Sequence, residues 1–199
     1  MRWLGVVVLV FLITAASQSG PVNAAAATGR TVGVVDFYSP TPLGAFDFVP
    51  ERFAADELST LLAQSGGGQL TVVPRDSMGN AEASVGWQNT DVLHFDRLRV
   101  LAQAAGANTL VVGWISMLVV RAGGGGGGFP PNGSGPPMAD TNLVLQVFDA
   151  AQGRLVGETR QSGSVVLATT RVLLAKQVLH DALARGVSPL VGALSAGTP

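Results

Sequence analysis

The feature that most constrains this chain is Ala107 to Val120, ANTLVVGWISMLVV, with the glycine run Gly123–Gly128 directly behind it. Within Thr109–Val120 only Thr109, Gly113 and Ser116 are not plainly apolar, Val and Ile dominate, and a helix-ending Gly106 precedes it. That pattern predicts a strand buried on both faces, in the middle of a sheet. A chain of 199 residues, 47% hydrophobic and 13% charged, is long enough for one ordinary core around such a strand and short for two.

The N-terminus reads differently. Met1-Arg2 precedes Trp3–Ala16 and then the more polar SQSGPVNAAAA, the basic, apolar and small-residue order of a secretory signal peptide covering residues 1–24. Cleavage is expected after Ala24 or Ala26, with a flexible spacer over 25–30. The alternative is a retained N-terminal anchor, which would be the chain's only membrane contact. As a helix the apolar run spans roughly 21 Å, short of the roughly 30 Å hydrocarbon core. Either way the body, residues 31–199, is expected outside the cytoplasm, periplasmic or secreted.

In chain order, Thr31–Phe37 predicts an interior strand, with Val32 and Val34 on one face and Gly33, Val35 and Phe37 on the other. Tyr38–Pro50 predicts a loop. A helix over Glu51–Gln64 follows, with Phe53, Ala54, Leu58, Leu61 and Leu62 towards the sheet, Arg52 within reach of Asp56, and a stop at Gly66–Gly68. Leu70–Val73 is a second strand, giving a β-α-β unit whose strands are expected to run parallel with a right-handed crossover. Ser77–Gln88 is an ambiguous stretch, broken by Gly79 and Gly86. Thr90 or Asp91 then caps a helix that buries Phe95, Leu98, Leu101, Ala102 and Ala105.

Beyond the central strand, Gly123–Met138 is low-complexity Gly/Pro and predicts a disordered loop. Asn142–Asp149 and Arg154–Gln161, joined by the turn Ala150–Gly153, predict an antiparallel hairpin, with Glu158 and Arg160 marking a charged edge. Leu167–Arg185 predicts a last helix that buries Leu167, Leu174, Val178 and Ala182 and ends at Gly186. Ser188-Pro189 predicts the start of a short final one. The fold class is therefore α/β: one mixed sheet of about five strands, ordered β2-β1-β3-β4-β5, parallel in its N-terminal half and antiparallel in its C-terminal half, with helices packed on it.

Chemistry is sparse. A net charge of −1 with no Lys/Arg cluster removes the footprint of a nucleic-acid binder. No cysteine means no disulfide, thiolate metal site or Cys nucleophile. Gly123, Gly125 and Gly128 match G-x-G-x-x-G only trivially, since Pro130-Pro131 follows where a phosphate loop needs a helix N-terminus. No G-x-S-x-G elbow occurs. His94 and His180 lack any metal-ligand spacing, and both read as surface residues. Adjacent carboxylates such as Asp47 with Glu51 and Asp56 with Glu57 read as solvated pairs. No enzyme activity, cofactor or metal is expected; the enzyme alternative is a carboxylate-based hydrolase using Asp36 and Asp76, against which no nucleophile–base pair is visible in the sequence.

The one site that topology suggests lies beyond the carboxyl ends of the parallel strands. It gathers Asp36, the loop to Asp47, Arg75, Asp76 and the neighbourhood of Trp114. Asp36, Arg75 and Asp76 are the candidate ligand-binding residues. The structural alternative is that Arg75 pairs with Asp36 and Asp76 caps the next helix.

Four strings go beyond this: Val32–Phe37, Val72–Arg75, Ala104–Gly113 and Leu143–Val156. Their order and spacing, above all G-A-x-x-L-V-V-G at Gly106–Gly113 and V-F-D-A-A-x-G-R-L-V at Val147–Val156, resemble a bacterial cell-envelope domain. It is the domain of CsgG-type and LpoB-type proteins and, more distantly, of the N-terminal part of TolB. The resemblance implies a non-enzymatic assembly or interaction module that meets another envelope protein; strand addition at Arg154–Gln161 is one route. The chain departs from the pattern in two places. It has no cysteine to carry a lipid anchor, and Gly123–Met138 is nothing like the alternating strands a pore hairpin needs. The other reading is an extracytoplasmic small-ligand sensor with its pocket at Asp36, Arg75 and Asp76.

Overall fold

The structure, a computed structural model, describes residues 29–43, 46–121, 136–166 and 170–196. The signal-peptide reading and most of the Gly/Pro loop fall outside the described residues. The elements are β1 (Arg30–Val34), α1 (Pro50–Ser65), β2 (Leu70–Val72), α2 (Arg75–Ser84), α3 (Phe95–Ala105), β3 (Thr109–Arg121), β4 (Met138–Asp149), β5 (Arg154–Val166) and α4 (Arg171–Ala196), with a 3-10 turn at Asn89–Leu93 before α3.

One five-stranded sheet carries them in the order β2-β1-β3-β4-β5. β1 pairs parallel with β2 and with β3, while β4 and β5 pair antiparallel. This is the order and polarity expected from the sequence. The chain steps from β1 to β2 through α1, then back past β1 to β3 through α2 and α3. Two crossovers of one handedness travelling in opposite directions must lie on opposite faces. The core accordingly has two parts. Ala54, Ala55, Leu58 and Leu62 of α1 and Leu174, Val178, Ala182 and Leu190 of α4 pack with Val32, Val34, Val111, Ile115, Leu143, Leu145 and Val147 on the first face. Met78, Ala81, Leu98, Leu101 and Ala102 of α2 and α3 pack with Val35, Leu110, Val112 and Phe148 on the second.

Several local expectations are corrected. β1 leaves its ladder after Val34, so Phe37 joins Val32 and Val34 in the first-face core rather than siding with Gly33 and Val35. The chain is then re-attached to β3: the Tyr38 amide donates to the Gly113 carbonyl at 2.9 Å, and the Ile115 amide donates to the Tyr38 carbonyl at 2.9 Å. Phe37 lies where a Cβ on Gly113 would go, which explains a glycine inside an otherwise apolar strand. Asp91 does not cap α3. It closes a capping box with Gln88 on the 3-10 turn, and His94 occupies the N-cap position of α3. Phe95 is 45% exposed rather than buried, its ring tilted against Phe148 at 5.8 Å.

The largest correction is α4, a single helix of 26 residues that runs through both Gly186 and Pro189. Gly186 is there for packing, because a Cβ would come within 2.8 Å of Leu145 Cδ1 and 3.2 Å of Gln161. Pro189 removes the amide that would bond the Arg185 carbonyl, but both residues lie on the exposed side, where an unpaired carbonyl costs least. α4 thereby covers the first face of β4 and β5 along its whole length. The predicted Leu167 contact falls outside the described residues.

Candidate functional site

At the carboxyl end of β1 the structure brings together groups from three elements. Arg75, the first residue of α2, is held by three acceptors. Its Nε donates to Asp56 Oδ1 of α1 at 2.8 Å, its Nη1 to the Val34 carbonyl at 2.5 Å, and its Nη2 forms a short ion pair with Asp36. Asp36 is also approached by Arg52 Nε at 3.8 Å, and its amide donates to Glu82 Oε1 at 3.5 Å. Arg52 thus faces Asp36, not Asp56 as helix spacing suggested.

Burial works against the Arg75 charge, but the Asp56 bond and the charges of Asp36 and Glu82 outweigh it and raise its pKa. Glu82 is pushed the other way for a carboxylate. Burial and then the nearby Asp36 charge raise its pKa, with Arg75 opposing. Asp76 does not join this cluster. It sits exposed in the first turn of α2, whose N-cap is Pro74 and makes no side-chain capping bond. The predicted cap is therefore absent. Asp76 instead lines an open, polar cavity of about 580 Å³ together with Arg52, Asp56, Arg75, Gly79 and Asn80. Asp56 and Glu82 were not legible as members, since nothing in their spacing reveals that α1 and α2 converge on one strand end.

Of the two histidines, His180 Nδ1 lies 2.7 Å from Glu57 Oε1 and ties α4 to α1. His94 is exposed. Among the described residues no group of three or more His, Asp or Glu side chains is arranged to hold a metal ion, and no helix is long and apolar enough to cross a membrane.

The second candidate is a surface. α2 and α3 cover the second face only over β2, β1, the start of β3 and the end of β4 at Phe148. Beyond them the second faces of β3, β4 and β5 carry the cross-strand rows Trp114–Val144–Arg160, Met117–Asn142–Ser162, Val119–Asp140–Ser164 and Arg121–Met138–Val166. Val119 is 38% and Val166 51% exposed. A ladder of Gln146 to Glu158 at 2.6 Å and Glu158 to Arg160 at 2.9 Å runs across the surface, holding the Glu158 carboxylate below its usual range. A bulge at Ser116 is closed by hydroxyls: Ser116 Oγ donates to the Asn142 carbonyl at 3.2 Å and Thr141 Oγ1 to the Met117 carbonyl at 2.8 Å. The platform is therefore ordered, mixed in polarity and without a covering layer among the described residues.

This arrangement defines a class: a mixed five-stranded α/β sheet whose parallel half lies between helix layers and whose antiparallel half is covered on one side. No family model matches the sequence, and no curated protein matches it. Solved structures do share the fold. Lipoprotein GNA1162 from Neisseria meningitidis superposes with a TM-score of 0.51 at 13% identity, over 84% of this chain and 99% of that one. The hypothetical protein CT253 from Chlamydia trachomatis gives 0.50 at 13% identity, over 85% and 99%. LpoB of E. coli is also similar, at a TM-score of 0.49 and 15% identity over 70% of this chain and 58% of that one. At these identities the likeness is one of fold.

Proposed function

We propose that this chain is an extracytoplasmic, non-enzymatic interaction module of the bacterial cell envelope, and that its working surface is the open second face of β3, β4 and β5. The observation that carries this reading is the uneven coverage of one sheet. α4 seals the first face of the antiparallel half, while among the described residues nothing covers the opposite face, which is mixed in polarity. A platform of this kind suits a protein partner, whose aromatic and apolar groups can meet Trp114, Val144 and Val119 inside a polar rim. The sequence resemblance to envelope proteins and the fold shared with a lipoprotein support the envelope setting.

The test is capture from an envelope extract with the chain and with Val144→Asp and Asn142→Arg variants. The same protein should be recovered repeatedly by the native surface and lost with either variant, while Asp76→Asn leaves capture unchanged. Failure to recover any protein repeatably, or recovery indifferent to both open-face changes, would overturn the reading.

A second reading rests on the polar cavity beside Arg75, which has room for a small charged ligand. Against it, the Arg75 guanidinium is already shared among Asp56, Asp36 and the Val34 carbonyl, the bonding of a structural clasp. A thermal-shift screen decides it: a ligand whose effect disappears in both Asp36→Ala and Arg75→Ala would establish a sensor.

A further inference from the structure

We propose that two copies of this chain pair through their β5 strands, antiparallel about a two-fold axis at Thr159, to make one continuous ten-stranded sheet. The inference stands independently of what binds the open face. β5 is a 13-residue strand with β4 on one side and, among the described residues, no strand on the other. Long sheet edges are normally blunted by proline, lysine or extreme shortness. β5 is long and has neither proline nor lysine; the edge devices it carries are a bulge at Val156 and charges of both signs at Arg154, Glu158 and Arg160, whereas β2 at the opposite edge is only three residues long.

The direction of its backbone groups can be worked out. The Ser116 hydroxyl bonds the Asn142 carbonyl, so the Asn142 peptide faces β3. Its cross-strand partner Ser162 must then turn its own N–H and C=O away from β4, because antiparallel pairs alternate in this way. The Arg185 guanidinium, donating to the Ser162 carbonyl at 2.7 Å, agrees with that orientation. By the same alternation Glu158 and Arg160 present their peptide groups outwards.

The charges select the register together with the Arg185 bond, which occupies the Ser162 carbonyl that an axis at Gln161 would need. An axis at Thr159 sets Glu158 of each copy opposite Arg160 of the other, in the outward-facing, hydrogen-bonded positions. An axis at Glu158 or at Arg160 would oppose like charges directly, and one at Gly157 would set Arg160 against Arg154. An axis between two residues would match outward groups with inward ones. In the Thr159 register Ser162 meets Val156, the extra residue of the β5 bulge, so the Arg185 bond lies at the margin of the paired stretch and limits it. Since a two-fold interface is self-complementary, one alternating Glu/Arg pair supplies two cross-strand contacts.

Sedimentation velocity over a concentration series tests this on the purified chain. Glu158→Arg and Arg160→Glu should each raise the dimer dissociation constant about tenfold, and the double exchange should restore it. Restoration separates pairing from a folding defect. In a chain that otherwise lacks cysteine, Thr159→Cys should give a disulfide-linked dimer on mild oxidation, because residues on the axis approach closely. A chain that stays monomeric at every concentration with no Thr159→Cys cross-link would overturn the proposal. So would a dimer whose affinity ignores both charge changes, or a β5 edge protected only when a foreign protein is added.

Discussion

Leu110 and Val144 lie on the same face of one sheet, on neighbouring strands, yet Leu110 is fully buried under α3 and Val144 is only half-buried. The contrast divides the molecule. Parallel strands need crossovers, and each crossover brings a helix that covers a face. Antiparallel strands need only a turn, and the β4–β5 turn, Asp149 to Gly153, brings none. The open surface is therefore a consequence of connectivity. A single C-terminal helix can seal one side of the hairpin but not both.

Substitutions should expose that division, in order of size. Leu110→Ala should cost about 3 kcal/mol in urea unfolding because it leaves a cavity between β3 and α3, while Val144→Ala should cost less than about 1. Equal costs would mean that something covers both. Next, Arg75→Met removes the clasp that joins α1, α2 and the end of β1, and it leaves Asp36 and the Val34 carbonyl without their main partner. Unfolding should show a loss of about 2–3 kcal/mol. Gly186→Ala should cost about 1–2 kcal/mol, since the new methyl must push α4 away from Leu145. Near-zero cost would mean that α4 is less closely seated on the hairpin than the geometry states.

The smallest effect belongs to Glu82→Gln and depends on pH. The folded protein raises the Glu82 pKa above 4.5, so the group favours folding when protonated, and that contribution is lost as pH rises through its folded value. The variant should match the native protein near pH 4 and be the more stable of the two at pH 7. A difference that shrinks as pH rises would reverse the assigned cause.

Strand order and polarity were legible because apolar runs, a helix between strands and the Asp149–Gly153 turn leave few right-handed topologies. The first-face helix was legible only in part. Gly186 reads as a stop and Ser188-Pro189 as the start of a new helix by local propensity, and only close packing against Leu145, with Arg185 and Pro189 on the exposed side, allows one helix to continue. Phe37 was assigned to the wrong face because strict alternation was carried past the end of the ladder. At the clasp, Asp36 and Arg75 follow from their places at strand ends, while Asp56 and Glu82 enter through the tertiary approach of α1 and α2. The open face could not be seen in the residues alone. Val144 and Leu110 have the same character in sequence, and only the position of α3 separates them.

Methyl NMR of the chain with a soluble paramagnetic agent measures that separation most directly. Val119, Val144 and Val166 should broaden strongly at agent concentrations that leave Val35, Leu110 and Val112 unchanged. Uniform protection of all six would show that the second face of the hairpin is covered, and it would contradict the account.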